Sequence, residues 1–184
     1  VYVKDAYIKW KNILGYHSII LGIQPCPTFE TAEDIWGGRY LEKPITNQRC
    51  LAESRDFGLS ITGQTDSAGT LYYQFMVGNN SACKSEVDRY KALYGVVRYS
   101  FLKHFVTTFS LNYIFLPKVK NFYDTILPTN LLTNDKTLLS LFVGYRKENS
   151  LSFGMEAFLL DWQHMLNTGS DFKSMESYGL SLFS

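Results

Sequence analysis

The alternation of apolar and polar residues along almost the whole chain limits its fold more than any other feature. In Asp56–Gln64, for example, Phe57, Leu59 and Ile61 alternate with polar or small residues. A period of two residues places the apolar side chains of an extended strand on one face. Nine segments share the pattern, and most are about 8–12 residues long, near the ~9–11 residues with which a tilted strand crosses a bilayer.

The composition of the two faces indicates which of them meets solvent. The polar faces contain many Gly, Ser, Thr, Asn and Gln residues and few Lys or Glu residues. The apolar faces have aromatic residues near their ends, namely Tyr73, Tyr99, Tyr113, Phe115, Tyr145 and Tyr178. A soluble sheet buries its apolar face, whereas a membrane barrel turns that face to lipid and has aromatic girdles at both interfaces. Both features favour the membrane barrel.

The connections between the predicted strands alternate between short and long. The short ones are Ile13–His17, Thr65–Gly69, Leu102–Lys103 and Lys147–Asn149. The long ones are Pro25–Ser54, Asn79–Arg89, Pro117–Asp135 and Trp162–Met175. Membrane barrels have short turns at one rim and long loops at the other. The sequence therefore predicts an all-β fold, an antiparallel up-and-down transmembrane β-barrel.

The predicted strand number is odd, whereas single-chain bacterial barrels have an even number of strands. The chain also begins without a signal peptide or an initiator Met. We therefore expect residues 1–184 to form one domain, an incomplete barrel of about nine strands that is a fragment of a larger barrel.

Several motifs resemble those of bacterial outer-membrane porins related to the phosphate-selective porin O/P group. They are Ala6–Lys11, Leu21–Pro25, Pro27–Glu30, Trp36–Gly37, Tyr40–Lys43, Ser54–Gly58 and Tyr73–Asn79. The resemblance is firmest over residues 6–115. It implies a channel for passive diffusion of small hydrophilic solutes or ions across the outer membrane. It also implies contact with outer-membrane lipids, a homotrimer as a common assembly, and a loop that often folds inward. It does not imply phosphate selectivity.

The longest predicted loop, residues 25–54, contains the first set of candidate site residues. This set is Glu30, Glu33, Asp34, Arg39, Glu42, Lys43, Arg49 and, just after the loop, Arg55. Opposed acidic and basic residues set a field across a pore constriction and tune ion selectivity. Phe29–Trp36 is predicted to form a short helix with Thr28 as its N-cap. The loop either folds into the pore or lies outside it with solvated charges.

The predicted strands contain the second set of candidates, on the face assigned to the lumen. This set is Lys9, Lys11, Arg98, Arg146 and Glu156. A Lys or Arg facing lipid near the bilayer midplane costs ~2–4 kcal/mol, so these charges agree with the assignment of the faces. Basic residues are in the majority, which indicates a mild anion preference. Alternatively, the charges only solvate a wide pore.

Other functional classes find little support in the sequence. His17, His104 and His164 lie apart, there is no nucleophile elbow and no metal-binding motif, so we predict neither an enzyme nor a cofactor or metal site. The net charge of +1 argues against a nucleic-acid partner. No apolar run approaches the ~20 residues of a membrane helix. Cys26 and Cys50 either pair in an oxidising compartment or remain free thiols.

Three functional classes remain open. The first is the porin-like channel of the bacterial outer membrane. The second is a soluble β-sandwich or lipocalin-like binding protein that buries the aromatic faces as its core. The third is an outer-membrane barrel that serves as an adhesin or a structural protein and binds a partner through its long loops.

Overall fold

A computed structural model describes residues 3–37, 43–82, 84, 90–102, 104–116, 134–147, 151–167 and 172–183, with only the backbone described at 164–167 and 172–173. These residues form nine strands and two helices. The elements are β1 (Ala6–Trp10), β2 (Ser18–Pro25), α1 (Glu30–Trp36), α2 (Ile45–Gln48), β3 (Arg55–Gln64), β4 (Leu71–Gly78), β5 (Lys91–Phe101), β6 (Phe105–Phe115), β7 (Lys136–Lys147), β8 (Leu151–Asn167) and β9 (Phe172–Phe183).

Every strand pairs antiparallel with the next one along the chain, in one sheet of order β1-β2-β3-β4-β5-β6-β7-β8-β9. The predicted all-β, up-and-down antiparallel arrangement is therefore confirmed. The sheet is open, with β1 and β9 as its two edges. Within the described ranges, neither helix has the length and apolar character required to cross a bilayer.

The structure corrects the predicted bounds of one loop and of the first strand. Trp162–Met175 is not a long loop, because β8 continues to Asn167 and β9 begins at Phe172. The register between these strands shifts between Trp162 and Leu166, and such an irregularity interrupts the alternation on which the prediction depended. The first strand ends at Trp10, and Asn12 adopts a left-handed backbone with φ of 58°, so Lys11 belongs to the connection.

The faces of the sheet are exposed in the opposite sense to those of a soluble protein. On β3, Phe57, Leu59 and Ile61 are 46%, 48% and 47% exposed. Asp56 and Ser60, on the other side of the same strand, are buried. We call the side of Phe57 the apolar face and the side of Asp56 the covered face. The same division holds on β4–β8, where the apolar face exposes residues such as Phe75, Leu93, Phe109, Leu141 and Leu159.

The described parts of the chain between β2 and β3, residues 26–37 and 43–54, pack against the covered face. We call residues 26–54 the covering segment. Phe29 contacts Leu138, Phe158 and Leu160 in one buried cluster. Further along α1, Ala32 packs in a second buried cluster with residues of β6 and β7. The covered face is therefore shielded by the chain's own segment.

The helix predicted at Phe29–Trp36 is present, with one difference at its start. The N-cap is Phe29 rather than Thr28, and no side chain caps the helix. Gly37 ends the helix in a left-handed conformation, and its N–H donates to the Glu33 carbonyl oxygen at 2.9 Å. Thr28, one residue before the N-cap, is buried, and its hydroxyl oxygen has no hydrogen-bond partner.

Candidate functional site

Three side chains of β7 and β8 attach the covering segment to the sheet. Lys136 Nζ donates to the Leu51 carbonyl oxygen at 2.8 Å. Glu156 accepts hydrogen bonds from the Thr46 hydroxyl at 2.6 Å and from the Ile45 N–H at 3.0 Å. Arg146 donates to the Asp34 carbonyl oxygen. The segment is thus held at both of its helices by long-range contacts to neighbouring strands.

Apolar contacts hold α1 in the same position. The rings of Trp36 and Phe183 lie 4.8 Å apart, and the rings of Phe142 and Phe183 stack at 6.0 Å. A Cβ atom at Gly144 would lie 2.6 Å from the Phe142 ring and 3.0 Å from the Ile35 side chain. The absence of a side chain at Gly144 therefore allows the helix to approach the sheet closely.

A cleft of about 730 Å³ remains between α1 and strands β5–β7. Its wall on α1 includes Thr31 and Asp34. The facing wall includes Arg98, Ser100, His104, Arg146 and Lys147. The guanidinium carbon of Arg98 lies 4.8 Å from the centroid of the Tyr72 ring, which orients the side chain by a cation–π contact. One carboxylate, that of Asp34, thus faces a wall that includes the basic side chains of Arg98 and Arg146.

The structure brings together only some of the residues predicted for the pore loop. Glu30, Glu33 and Asp34 lie on α1, with Asp34 exposed toward the cleft. Lys43 and Arg49 are exposed, and neither is among the described residues that line the cleft. Arg39 and Glu42 lie outside the described residues. Arg55 donates to Asp5 at 2.5 Å, near the start of β3.

The lumen candidates on the strands occupy three different surroundings. Arg98 and Arg146 line the cleft, and Glu156 is buried beneath α2. Lys9 pairs in register with Ile20 on the covered face of the edge strand β1, where it is exposed. Lys11 follows the end of β1 in an exposed connection. The basic side chains that line the cleft opposite α1 therefore come from β5 and β7.

Burial on α1 changes the acidity of Glu30. Removal from water raises the pKa of this carboxyl from its ordinary 4.5 to about 7. The charge of Arg55 opposes this rise in pKa, whereas the nearby carboxylates of Asp34 and Glu33 add to it. Glu30 therefore changes its charge near neutral pH, one residue before the cleft-lining Thr31.

Lys147, His104 and Thr31 also line the cleft and were not predicted. Lys147 directly follows Arg146 at the end of β7, and His104 directly precedes β6. The Arg146 N–H donates to the His104 carbonyl oxygen at 3.0 Å, which places these two residues side by side, whereas Lys147 has the register of the apolar face. The available sequence signal for His104 was its place on the polar face at the start of the sixth predicted strand.

A second polar cluster lies at the start of β3. The Asp56 carboxylate accepts hydrogen bonds from the Asn80 N–H at 2.7 Å, the Ser81 N–H at 3.2 Å and the Tyr94 hydroxyl at 3.0 Å. A Cβ atom at Gly78 would lie 2.2 Å from the Asp56 carboxylate. Asp56 thus fixes the beginning of the connection between β4 and β5.

Within the described part of the chain, Cys26, Cys50 and the metal-binding side chains add no further site. Cys26 is buried and Cys50 is exposed, and both are free thiols, so the predicted alternative of a disulfide between them is not present. Burial raises the pKa of the Cys26 thiol above its usual range. Within the described residues, no group of three or more His, Cys, Asp or Glu side chains is placed to hold a metal ion.

Comparison with protein-family models, with curated proteins and with solved structures found no match to this chain.

Proposed function

We propose that the chain forms part of a porin-like β-barrel of the bacterial outer membrane, related to the phosphate-selective porin O/P group. In this proposal the barrel is a passive channel for small hydrophilic solutes or ions, its apolar face contacts outer-membrane lipid, and it assembles as a homotrimer. The observation that carries the proposal is the exposure of the apolar face on strand after strand while the polar face is shielded. A soluble β-sandwich or lipocalin-like fold would bury the apolar face instead.

The height of the apolar face fits a bilayer. Strand β6 has Phe105 and Phe115 at the two ends of this face, and Thr107 is the one residue between them on this face that is neither apolar nor aromatic. At about 3.3 Å per residue this stretch measures about 33 Å along the strand. A tilt of about 40° reduces that length to about 25 Å across the membrane, which is the usual height of the lipid-facing band of a barrel.

Charged residues avoid the middle of the apolar face. Among the described side chains they lie at its two ends: Arg55, Lys91, Asp161 and Glu176 at the end from which the covering segment emerges, and Lys147 at the opposite end. The register places Asp161 and Glu176 level with Thr137, the second residue of β7. This distribution supports a lipid-facing band, since a charge is costly near the midplane and cheap at the interface.

Aromatic rings form a row at the opposite end of the same face. Successive centroids of Tyr99, Phe101, Phe105, Tyr145 and Phe153 lie 5.8, 5.6, 4.9 and 5.1 Å apart. A continuous aromatic row across four strands is typical of the interface girdle of a membrane barrel.

Closure of the sheet is also part of the proposal. An edge strand exposes unpaired backbone N–H and C=O groups, which cannot remain in the hydrocarbon region of a bilayer. In a membrane, β1 and β9 must therefore be paired, either with each other or with further strands.

The cleft favours a channel over a purely structural or adhesive barrel. It leaves space beside α1, and its walls present opposite charges as in a selective constriction.

The test is solute entry into liposomes containing the refolded full-length protein, followed by swelling in isotonic solutions of sugars of increasing size. Swelling that stops above a size limit supports a channel; liposomes that incorporate the folded protein without swelling contradict it.

Reversal of the charge at Arg98 should move the ion preference toward cations. Two unit changes of charge at about 8 Å in water alter an ion's energy by about 1 kcal/mol before screening by salt. We therefore expect Arg98→Glu to change the ratio of cation to anion permeability roughly twofold to fivefold, measured as a reversal potential in a salt gradient. Arg49→Glu, outside the cleft lining, should change it much less. Equal shifts in the two variants would contradict the assignment of the cleft.

Titration of Glu30 should make the channel depend on pH near neutrality. Because its pKa is raised to about 7 in the folded protein, packing of α1 is most stable below pH 4.5 and loses stability as pH rises from 4.5 through about 7. Cation preference should rise over the same interval as Glu30 becomes charged. Reversal potentials measured between about pH 5 and pH 9 check this expectation.

Two variants separate the contribution of Glu30 from that of His104, which lines the cleft. Glu30→Gln should abolish the change in ion preference with pH, whereas His104→Gln should leave most of it. Retention of the full pH dependence in Glu30→Gln would exclude Glu30 as its source.

A further inference from the structure

We propose that Glu156 is the positioning residue that holds the covering segment across the passage and thereby sets its width. This inference rests on the proposed channel. It concerns one carboxylate that faces away from the apolar band, in the middle of β8. Its two hydrogen-bond partners, Ile45 and Thr46, both belong to the covering segment.

The geometry around Glu156 indicates an attachment rather than a surface charge. Glu156 is 2% exposed and Thr46 is fully buried, so neither group can exchange its partner for bulk water. A buried carboxylate is tolerated only when hydrogen bonds compensate for its lost hydration. The described partners come from residues more than one hundred positions earlier in the chain. The cost of burying Glu156 is therefore offset only when the covering segment is docked.

The position of this contact explains its effect on the passage. Arg146 holds the carbonyl of Asp34 at the far end of α1, and Lys136 holds the carbonyl of Leu51 where the segment returns to β3. Glu156 lies between them, on the strand next to β7, and accepts hydrogen bonds from the first two residues of α2. Loss of this central contact frees the returning half of the segment while the other two contacts keep it near the sheet.

The experiment is a comparison of single-channel conductance between the full-length wild type and three variants in planar bilayers. Glu156→Ala removes both hydrogen bonds, and we expect each open channel to conduct roughly twofold more, since conduction is limited at the constriction. Glu156→Gln removes the charge and keeps one acceptor oxygen; since Thr46 and Ile45 donate to different oxygens, it retains one of the two hydrogen bonds, and we expect a rise in conductance smaller than that of Glu156→Ala. Thr46→Val removes one bond from the segment side and should raise conductance in the same direction as Glu156→Ala.

The variants separate positioning from charge and from stability. A purely electrostatic role predicts that Glu156→Gln resembles Glu156→Ala, and that result would overturn the inference. A purely structural role predicts fewer channels of unchanged conductance in Glu156→Ala, and that result would also overturn the inference. Thr46→Val leaves the side chains of the sheet unaltered. Its single-channel conductance therefore tests the inference if Glu156→Ala does not refold.

The outcome also distinguishes this inference from the proposed function. Wild-type current with unchanged conductance in Glu156→Ala and Thr46→Val overturns the positioning role alone. Absence of current from the folded, inserted wild type overturns the channel and the positioning role together.

Discussion

Replacement of Leu141 by arginine is expected to destabilise the folded, membrane-inserted protein by about 2–4 kcal/mol. Leu141 is 47% exposed in the middle of β7 and is level with Phe109 on β6 and Ala157 on β8. In a lipid-facing band the guanidinium would enter hydrocarbon, far from either interface. The measurement is refolding into lipid vesicles as a function of denaturant, with the folded fraction separated by electrophoresis without boiling.

The same substitution has little effect on stability if this face of the sheet meets water. An exposed leucine on a water-facing sheet can become arginine with a change of roughly 0.5 kcal/mol or less. Leu141→Ala is the matched control, because it shortens the side chain without adding charge, and its cost in lipid should be much smaller than that of arginine. Equal stability of Leu141→Arg and Leu141→Ala would contradict contact between this face and lipid.

Replacement of Asp56 by alanine is expected to cost about 3–5 kcal/mol of unfolding free energy. The substitution removes the acceptor of two backbone N–H groups at the start of the β4–β5 connection. It also leaves the buried Tyr94 hydroxyl without its acceptor. Hydrogen bonds to a charged group contribute ~1.5–3 kcal/mol each, and a buried donor without a partner adds a further penalty. Equilibrium unfolding in denaturant gives the value.

Two further substitutions calibrate this loss. Asp56→Asn keeps the size of the side chain and one acceptor oxygen, so it should destabilise less than alanine. Asp66→Ala makes the same chemical change at an exposed turn, where the carboxylate accepts from the Thr70 N–H at 2.9 Å, and it should have a much smaller effect. Similar losses for Asp56→Ala and Asp66→Ala would show that burial of the cluster contributes nothing.

The faces of the sheet could be predicted from the sequence because a strand has a strict period of two. Once Phe57, Leu59 and Ile61 share a face, Asp56 and Ser60 must share the other, whatever the tertiary structure. The same local rule placed Arg98 and Glu156 opposite the apolar side chains. It failed in β8, where the register shift between Trp162 and Leu166 breaks the alternation without ending the strand pairing.

The candidate site depended on contacts that no local pattern contains. Thr46 and Glu156 meet across 110 positions of sequence, and Arg146 meets Asp34 across 112. The sequence placed Arg98 and Arg146 on the lumen face and charges of both signs in residues 25–54, but it did not indicate that α1 lies beside these two arginines. Such pairings follow from sheet register and from the docking of α1, which depends on buried apolar contacts such as that of Ala32 with Phe142.

The most direct test of the proposed channel is the conductance of the refolded full-length protein in a planar bilayer, with a salt gradient across it. The proposal predicts stepwise currents and a reversal potential that moves toward cation preference in Arg98→Glu. A protein that inserts as a folded barrel but carries no current contradicts the channel and favours an adhesive or structural barrel. A protein that stays folded and monodisperse without detergent contradicts the membrane assignment itself.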